Sequence, residues 1–277
     1  MSLHPVFRTG NTALITGAAS GIGLAIAKLC HKHGMSIALV DRNAEGLSAI
    51  KSFFTGGKVE TFVVDVGKLD EWSDLRAKVE MDFGQINFLL LNAAIAPKSG
   101  WDDVDYFHTI MDTNLFGVIN GISTFLPSLR TQTQPTSIVI TGSKQGITNP
   151  PGNPAYNASK AAIKSLAEHL SYDLRATPTS VHLLVPGWTF TGLTGGGAAK
   201  EKPEGAWTPE QVAEYLEKKM AEGTFYVICP DNDVTEEKDK KRMLWSVGDI
   251  VNDRPPLSRW RDGYKEDAEE WMAKQQV

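Results

Sequence analysis

Short apolar runs punctuate the chain at 12–16, 36–40, 59–64, 88–91, 137–141, 181–185 and 225–229. Most are continuous and rich in Val, Ile and Leu, the pattern of strands buried on both faces. Between them the apolar positions recur at helical spacing, as at Ile22, Ile26, Leu29 and Cys30. Further helices are expected at about 43–54, 70–83 and 155–176, with a long one at about 102–130 that breaks near Met111. Strands alternating with helices imply a parallel sheet covered on both faces, and right-handed crossovers wind it in two directions. The fold expected is therefore α/β, a single doubly wound domain with a parallel seven-stranded sheet. Ligands of such a sheet sit beyond the carboxyl ends of its strands, and Asp41, Asp65, Asn92, Ser143 and Pro186 each follow a strand.

The pattern continues past the last strand. Residues 231–277 carry Trp245, Trp260 and Trp271 and two helical stripes, Met243/Val247/Ile250 and Tyr264/Ala268/Trp271/Met272. Pro255-Pro-Leu-Ser-Arg-Trp260 reads as an extended link between them. A segment so rich in tryptophan is not expected to be disordered. The division expected is a main domain, 1–230, and a helical extension, 231–277, that packs on the substrate side or on a neighbouring subunit. The mixed charges of Glu236–Arg242 read as a solvated helix face.

The link between the first strand and the first helix is Thr16-Gly17-Ala-Ala-Ser20-Gly21-Ile22-Gly23. Glycines allow a sharp turn and a close approach to a ligand that a Cβ would block. The helix N-terminus beyond them presents free N–H groups to an anion, so a pyrophosphate suits the place. Asp41 ends the second strand, where a carboxylate can accept both hydroxyls of an adenosine ribose and repel a 2′-phosphate. That favours NAD over NADP, although Arg42 beside it pulls the other way.

Tyr156 and Lys160 are four residues apart early in the helix expected at 155–176, so they share a face. A nearby ammonium favours phenolate and is expected to lower the tyrosine pKa toward neutrality. Ser143 ends the preceding strand within reach of the same oxygen. Together with Thr16-Gly-x-x-x-Gly-x-Gly, these residues resemble the short-chain dehydrogenase/reductase family over roughly residues 10–230. The resemblance implies a Rossmann-type NAD(P)-binding catalytic domain. It implies Tyr156 as general acid/base, Lys160 as the residue that lowers its pKa and holds the nicotinamide ribose, Ser143 on the substrate oxygen and Asn114 in a proton relay. For the cofactor it implies Gly17, Ser20, Gly21, Ile22 and Gly23 at the pyrophosphate, Asp41 and Arg42 at the adenosine ribose, and Asp65 and Val66 at the adenine. Asn92 and Ala93 are implied behind that ribose, and Pro186, Gly187, Thr189 and Thr191 as a strap over the carboxamide. Two departures stand out. The family's Asn-Asn-Ala-Gly is Leu91-Asn-Ala-Ala94 here, and Thr189 stands where an aliphatic residue is usual.

Between strap and last strand, Gly192–Trp207 contains Gly195-Gly-Gly197 and reads as a lid. Residues 146–154 read as a stiffer wall which, with Trp188 and Trp207, lines an apolar pocket for a bulky substrate. The function expected is an NAD-dependent oxidoreductase of a secondary alcohol/ketone pair. The alternatives are an NADP-dependent ketoreductase and a catalytically silent dinucleotide-sensing protein. A methyltransferase shares the strand–turn–helix–acid plan but has no use for Ser143, Tyr156 and Lys160.

Charge and composition exclude more than they add. Lys and Arg total 28 against 33 Asp and Glu, a net charge of −5, so no basic field recruits nucleic acid or anionic lipid. No run is long and apolar enough to span a membrane. Cys30 and Cys229 sit in apolar contexts and read as core thiols of a reducing, cytoplasmic compartment. The histidines lack ligand spacing, so no metal is expected. The family resemblance implies a homodimer or homotetramer.

Overall fold

The structure, a computed structural model, describes residues 3–194 and 201–277. The triple glycine Gly195–Gly197 and the rest of 195–200 lie outside the described residues. The sheet and the helices around it run β1 (Thr12–Thr16), α1 (Gly21–Lys32), β2 (Ser36–Asp41), α2 (Ala44–Ile50), β3 (Val59–Val63), α3 (Leu69–Phe83) and β4 (Phe88–Leu91). They continue with α4 (Val104–Met111), a π-helical turn (Asp112–Phe116), α5 (Gly117–Arg130), β5 (Thr136–Thr141), α6 (Gln145–Thr148) and α7 (Pro154–Asp173). They close with β6 (Thr179–Val185), α8 (Pro209–Ala221) and β7 (Tyr226–Ile228).

All seven strands are parallel, in the order β3-β2-β1-β4-β5-β6-β7. The order reverses between β1 and β4, which opens a crevice at their carboxyl ends. The continuous apolar runs are explained by two cores, one on each face. One packs Ile26 and Leu29 of α1 and Val212 and Leu216 of α8 against Ile15, Leu39 and Phe88. The other packs Trp72 and Leu75 of α3, Phe125 of α5 and Ile163 of α7 against Leu14, Leu89 and Ile140.

Several elements depart from the sequence expectation. The helix at 43–54 stops at Ile50 and ends as a 3₁₀ turn, Lys51–Phe53. The break near Met111 is a π turn that holds Asn114. α8 was not anticipated, although its start is legible: Thr208 caps Gln211 N, the Gln211 side chain caps Thr208 N in return, and Pro209 occupies the first turn.

The extension adds α9 (Glu236–Val251) and α10 (Lys265–Lys274). They form a small core of Trp245, Ala268 and Met272 with Trp271 against it. Beneath it lies a polar knot. Trp245 Nε1 donates to Ser258 Oγ at 2.8 Å, Ser258 Oγ donates to Asp249 Oδ1, and Arg254 Nε donates to the same oxygen at 2.9 Å. The stripe on α9 is only partly buried: Met243 packs against the second core, while Val247 is exposed and Ile250 is 82% exposed. Trp245, off that stripe, is what the extension buries. Nor is 255–260 extended, because Leu257 turns into the left-handed region and Ser258–Trp260 is a 3₁₀ turn. Among the described residues, no helix is long and apolar enough to cross a membrane.

Candidate active site

Thr16 fixes the entry to the site. Its hydroxyl donates to Leu90 O at 3.2 Å and accepts from Asn92 N at 2.9 Å and Ala93 N at 3.1 Å. β1 and β4 therefore end level, and the glycine turn lies against Asn92-Ala93. A Cβ on Gly17 would come within 2.9 Å of both Ala93 Cα and Asn92 Nδ2, and one on Gly23 would collide with Gly17 O. Asn92 reaches across as well, donating to Thr16 O at 3.2 Å and accepting from Thr141 Oγ1 at 3.2 Å. The missing first asparagine of Leu91-Asn-Ala-Ala94 leaves that tie intact.

At the end of β2, both oxygens of Asp41 are held by backbone. Oδ2 accepts from Ala19 N at 3.0 Å and Oδ1 from Asn43 N at 2.9 Å. Ser20 caps α1 by position only: its side chain makes no capping bond, and no acid lies in the first turn. The first amides of α1 are thus left for a ligand rather than for the helix's own side chains.

The other half of the site comes from the π turn, the loop after β5 and the start of α7. Asn114 Oδ1 accepts from Ile95 N at 2.8 Å, while Nδ2 donates to Ile95 O at 2.9 Å and to Ser159 Oγ at 3.3 Å. Extra backbone in a helix re-aims a side chain, and here it presents the amide to the 93–95 segment. Pro154 begins α7, and the Tyr106 hydroxyl accepts from Ala155 N at 3.3 Å while donating to Asn153 Oδ1. That pins the first turn that carries Tyr156. Ser143 Oγ accepts from Gln145 N at 3.1 Å.

Tyr156 and Lys160 are both buried. Lys160 Nζ donates to Thr141 O at 2.9 Å and lies 5.7 Å from the centre of the Tyr156 ring. Burial pulls the lysine pKa down to about 8. Burial pushes the phenol pKa up, and the Ser143 hydroxyl works against that rise. The net direction in the folded chain is thus upward and set by burial, against the lowering expected from Lys160, whose ammonium is bonded to Thr141 O.

These groups border one cavity of about 600 Å³. Its walls include Gly17, Ser20, Gly21, Ile22, Asp41, Arg42, Asp65, Val66, Asn92 and Ala93. Ser143, Tyr156, Lys160, Pro186, Gly187, Thr189 and Thr191 line the same cavity, and Thr191 meets the glycine turn at Gly21. Gly23 and Asn114 stand behind the wall, the first against Gly17 and the second against Ile95. The volume of the cavity, the uncapped start of α1 and the glycine cradle fit a dinucleotide.

Two expected walls are not there. Residues 146–154 are absent from the lining, since Gly146 packs on the backbone of Lys160. Trp207 packs with Tyr215 in the core, 5.6 Å between ring centres, whereas Trp188 does line the cavity. Ile95, Lys144, Gln145 and Leu193 line it too and were not singled out from the sequence. Only the position of Lys144, directly after Ser143, could have drawn attention to it. Cys30 and Cys229 are buried, and burial pushes both thiols up, Cys229 to about 12.

A family profile described as short chain dehydrogenase matches residues 11–202. The sulfoacetaldehyde reductase of Chromohalobacter salexigens is 35% identical over 214 residues, covering 73% of this chain and 85% of that protein. A short chain dehydrogenase/reductase from Burkholderia phymatum, solved in complex with NAD, superposes with a TM-score of 0.81 at 26% identity, covering 91% of this chain and 97% of that one. An alcohol dehydrogenase from Thermococcus sibiricus, complexed with 5-hydroxy-NADP, gives a TM-score of 0.69 at 26% identity over 76% of this chain and 90% of that one.

Proposed function

The chain belongs to the short-chain dehydrogenase family, oxidoreductases that act on CH–OH groups with a nicotinamide dinucleotide, and from that premise we propose that it interconverts a secondary alcohol and its ketone with NAD. One observation carries the reading: Ser143, Tyr156 and Lys160 border the same cavity as the glycine turn and Asp41.

In this reading the first amides of α1, with Gly17, Ser20, Gly21 and Ile22, hold the pyrophosphate. Asp41 accepts the adenosine ribose hydroxyls, with its orientation fixed by Ala19 N and Asn43 N. Asp65 and Val66 flank the adenine, Asn92 and Ala93 back the ribose, and Pro186, Gly187, Thr189 and Thr191 cover the carboxamide. The bound nicotinamide supplies the hydride acceptor or donor. Ser143 donates to the substrate oxygen. Tyr156 takes the alcohol proton on its phenol oxygen in oxidation and returns it in reduction. Lys160 holds the nicotinamide ribose, and Asn114 keeps the Ile95 segment in place beside a water relay. Ile95, Trp188 and Leu193, which line the same cavity, support a bulky, apolar or aromatic substrate body. A homodimer or homotetramer, as the family resemblance implies, is part of the same reading.

Arg42 also borders the cavity, which favours an NADP-dependent ketoreductase as the second reading. The test is a panel of aryl and alicyclic secondary alcohols with NAD and with NADP, read by the absorbance of reduced nicotinamide. Turnover with NAD is expected, falling roughly 10²-fold or more in Tyr156→Phe while NAD binding persists. Turnover with NADP alone selects the second reading. Dinucleotide binding with no turnover on any alcohol or ketone would make the fold a silent sensor.

A further inference from the structure

Lys144 follows Ser143 and lines the cavity, yet its ammonium is not offered to a ligand. Nζ lies 2.5 Å from Asp239 Oδ2 and 3.3 Å from Asp231 Oδ2. Both carboxylates belong to the C-terminal extension, and Asp239 is 1% exposed. The charge run read as a solvated face thus turns one of its acids inward, where Arg242 lies 3.4 Å from Asp239 Oδ1. Two cations and two carboxylates leave the cluster formally neutral. Buried charges persist only when paired in this way.

Asp231 also reaches the strap. Its Oδ2 accepts from Trp188 N at 3.0 Å, and its Oδ1 accepts from Asp233 N at 3.1 Å and Val234 N at 2.8 Å. A Cβ on Gly187 would stand 2.8 Å from both Asp231 Oδ2 and Lys144 Nζ, so the strap lies directly against the ion pair. The strap is tied in turn to 203–207: Trp207 N donates to Trp188 O at 2.8 Å, and Phe190 N donates to Trp207 O at 2.8 Å. Asn232 N donates to Gly205 O at 3.0 Å, so the first turn of the extension grips the same segment. Lys144 joins the loop carrying Ser143 to α9 and, through Asp231, to the strap.

We propose that Lys144 is a positioning residue through which the C-terminal extension sets the Ser143 loop and the strap for substrate. Released from Asp231 and Asp239, the ammonium would be free to swing into the cavity, and Trp188 would lose an anchor on which its place in the wall depends. The extension is on this view a support of the end of the site where substrate and nicotinamide meet, and not of the glycine turn or Asp41. The kinetic part of the inference rests on the dehydrogenase reading; the coupling of strap to extension does not.

The test uses the full chain and three variants, Lys144→Met, Asp239→Asn and Lys144→Arg. Amide hydrogen exchange is measured without substrate. Lys144→Met and Asp239→Asn should both speed exchange in 186–194 and in 231–251 together, by at least about fivefold, the low end of coupling between sites. Exchange in β1 and α1 should not change, and Lys144→Arg should recover most of the protection. With any secondary alcohol the unmodified enzyme oxidises, the same two variants should raise the KM for the alcohol by at least about fivefold, and by more than they raise the Kd for NAD, which the strap also covers. Faster exchange confined to 231–251 would overturn the proposal, as would a lowered melting temperature with unchanged KM. Should the unmodified protein oxidise no alcohol, the dehydrogenase reading fails, and the exchange pattern still decides whether Lys144 couples extension to strap.

Discussion

Replacing Lys160 with methionine should stabilise the protein at pH 7 while abolishing its turnover. The side chain is 3% exposed, and burial alone brings its pKa from 10.5 to about 8. Below about pH 8 the lysine is protonated in both folded and unfolded chains, so folding carries the whole penalty of a buried charge. The difference, 10.5 − 8, is about 2.5 units and corresponds to roughly 3 kcal/mol at about 1.4 kcal/mol per unit. Methionine has similar length and no charge, but it leaves Thr141 O without the donor that Lys160 supplies at 2.9 Å. Losing that bond offsets about 1–2 kcal/mol. The net gain is on the order of 1–2 kcal/mol, a rise of about 2–6 °C for a domain of this size. Its pH dependence has a definite sign. Between about pH 8 and 10.5 the folded lysine has released its proton while the unfolded one still holds it. Unfolding then takes up protons, so the stability of the unmodified protein rises with pH across that window. The advantage of the variant should therefore shrink above pH 8 and vanish or reverse near pH 10. Thermal unfolding of both proteins without dinucleotide, from pH 6.5 to 10, reads this directly. A variant that melts lower at pH 7, or a difference that stays flat with pH, would show that Lys160 carries no desolvated charge.

Asp41→Asn keeps an oxygen for the Ala19 or Asn43 amide but removes the charge, so an NAD preference of about tenfold or more, about 1.4 kcal/mol, should narrow. Fluorescence titration with reduced NAD and reduced NADP checks it, and tighter NADP binding by the unmodified protein would refute the assignment. Gly23→Ala puts a methyl group against Gly17 O and should weaken dinucleotide binding by about tenfold or more, or lower the melting temperature by several degrees. Normal binding and melting would mean that the turn relaxes freely. Truncation after residue 230 removes both carboxylates that Lys144 pairs with and the bond from Trp188 N to Asp231 that anchors the strap. The shortened chain should melt lower and show a raised KM, measured by calorimetry and initial rates.

Much of the dinucleotide side of the site was legible because its causes are local. A backbone that must pass close to Asn92 admits only glycine at Gly17, and a helix that leaves its first amides free shows as Ser20 with no acid after it. Tyr156 and Lys160 share a face because four residues make about one helical turn. The doubly wound sheet follows from continuous apolar runs, since a strand covered on both faces has no polar side to show.

What the sequence left open depends on which distant groups meet. Tyr156 and Lys160 could be placed side by side from spacing. Only the packed structure decided that the ammonium turns to Thr141 and that burial, not Lys160, governs the direction of the phenol's shift. Trp188 and Trp207 look alike in sequence, yet one faces the cavity and the other the core. Asp239 sits in a run of mixed charge with nothing to mark it, and Lys144 and Asp231 are 87 residues apart along the chain. Their meeting is set by β5, β6 and β7 lying side by side in the sheet, which brings the loop after β5, the strap after β6 and the start of the extension to one end. Local propensity and periodicity determine which elements form. The partner of a buried charge is determined by topology, which no short stretch of sequence contains.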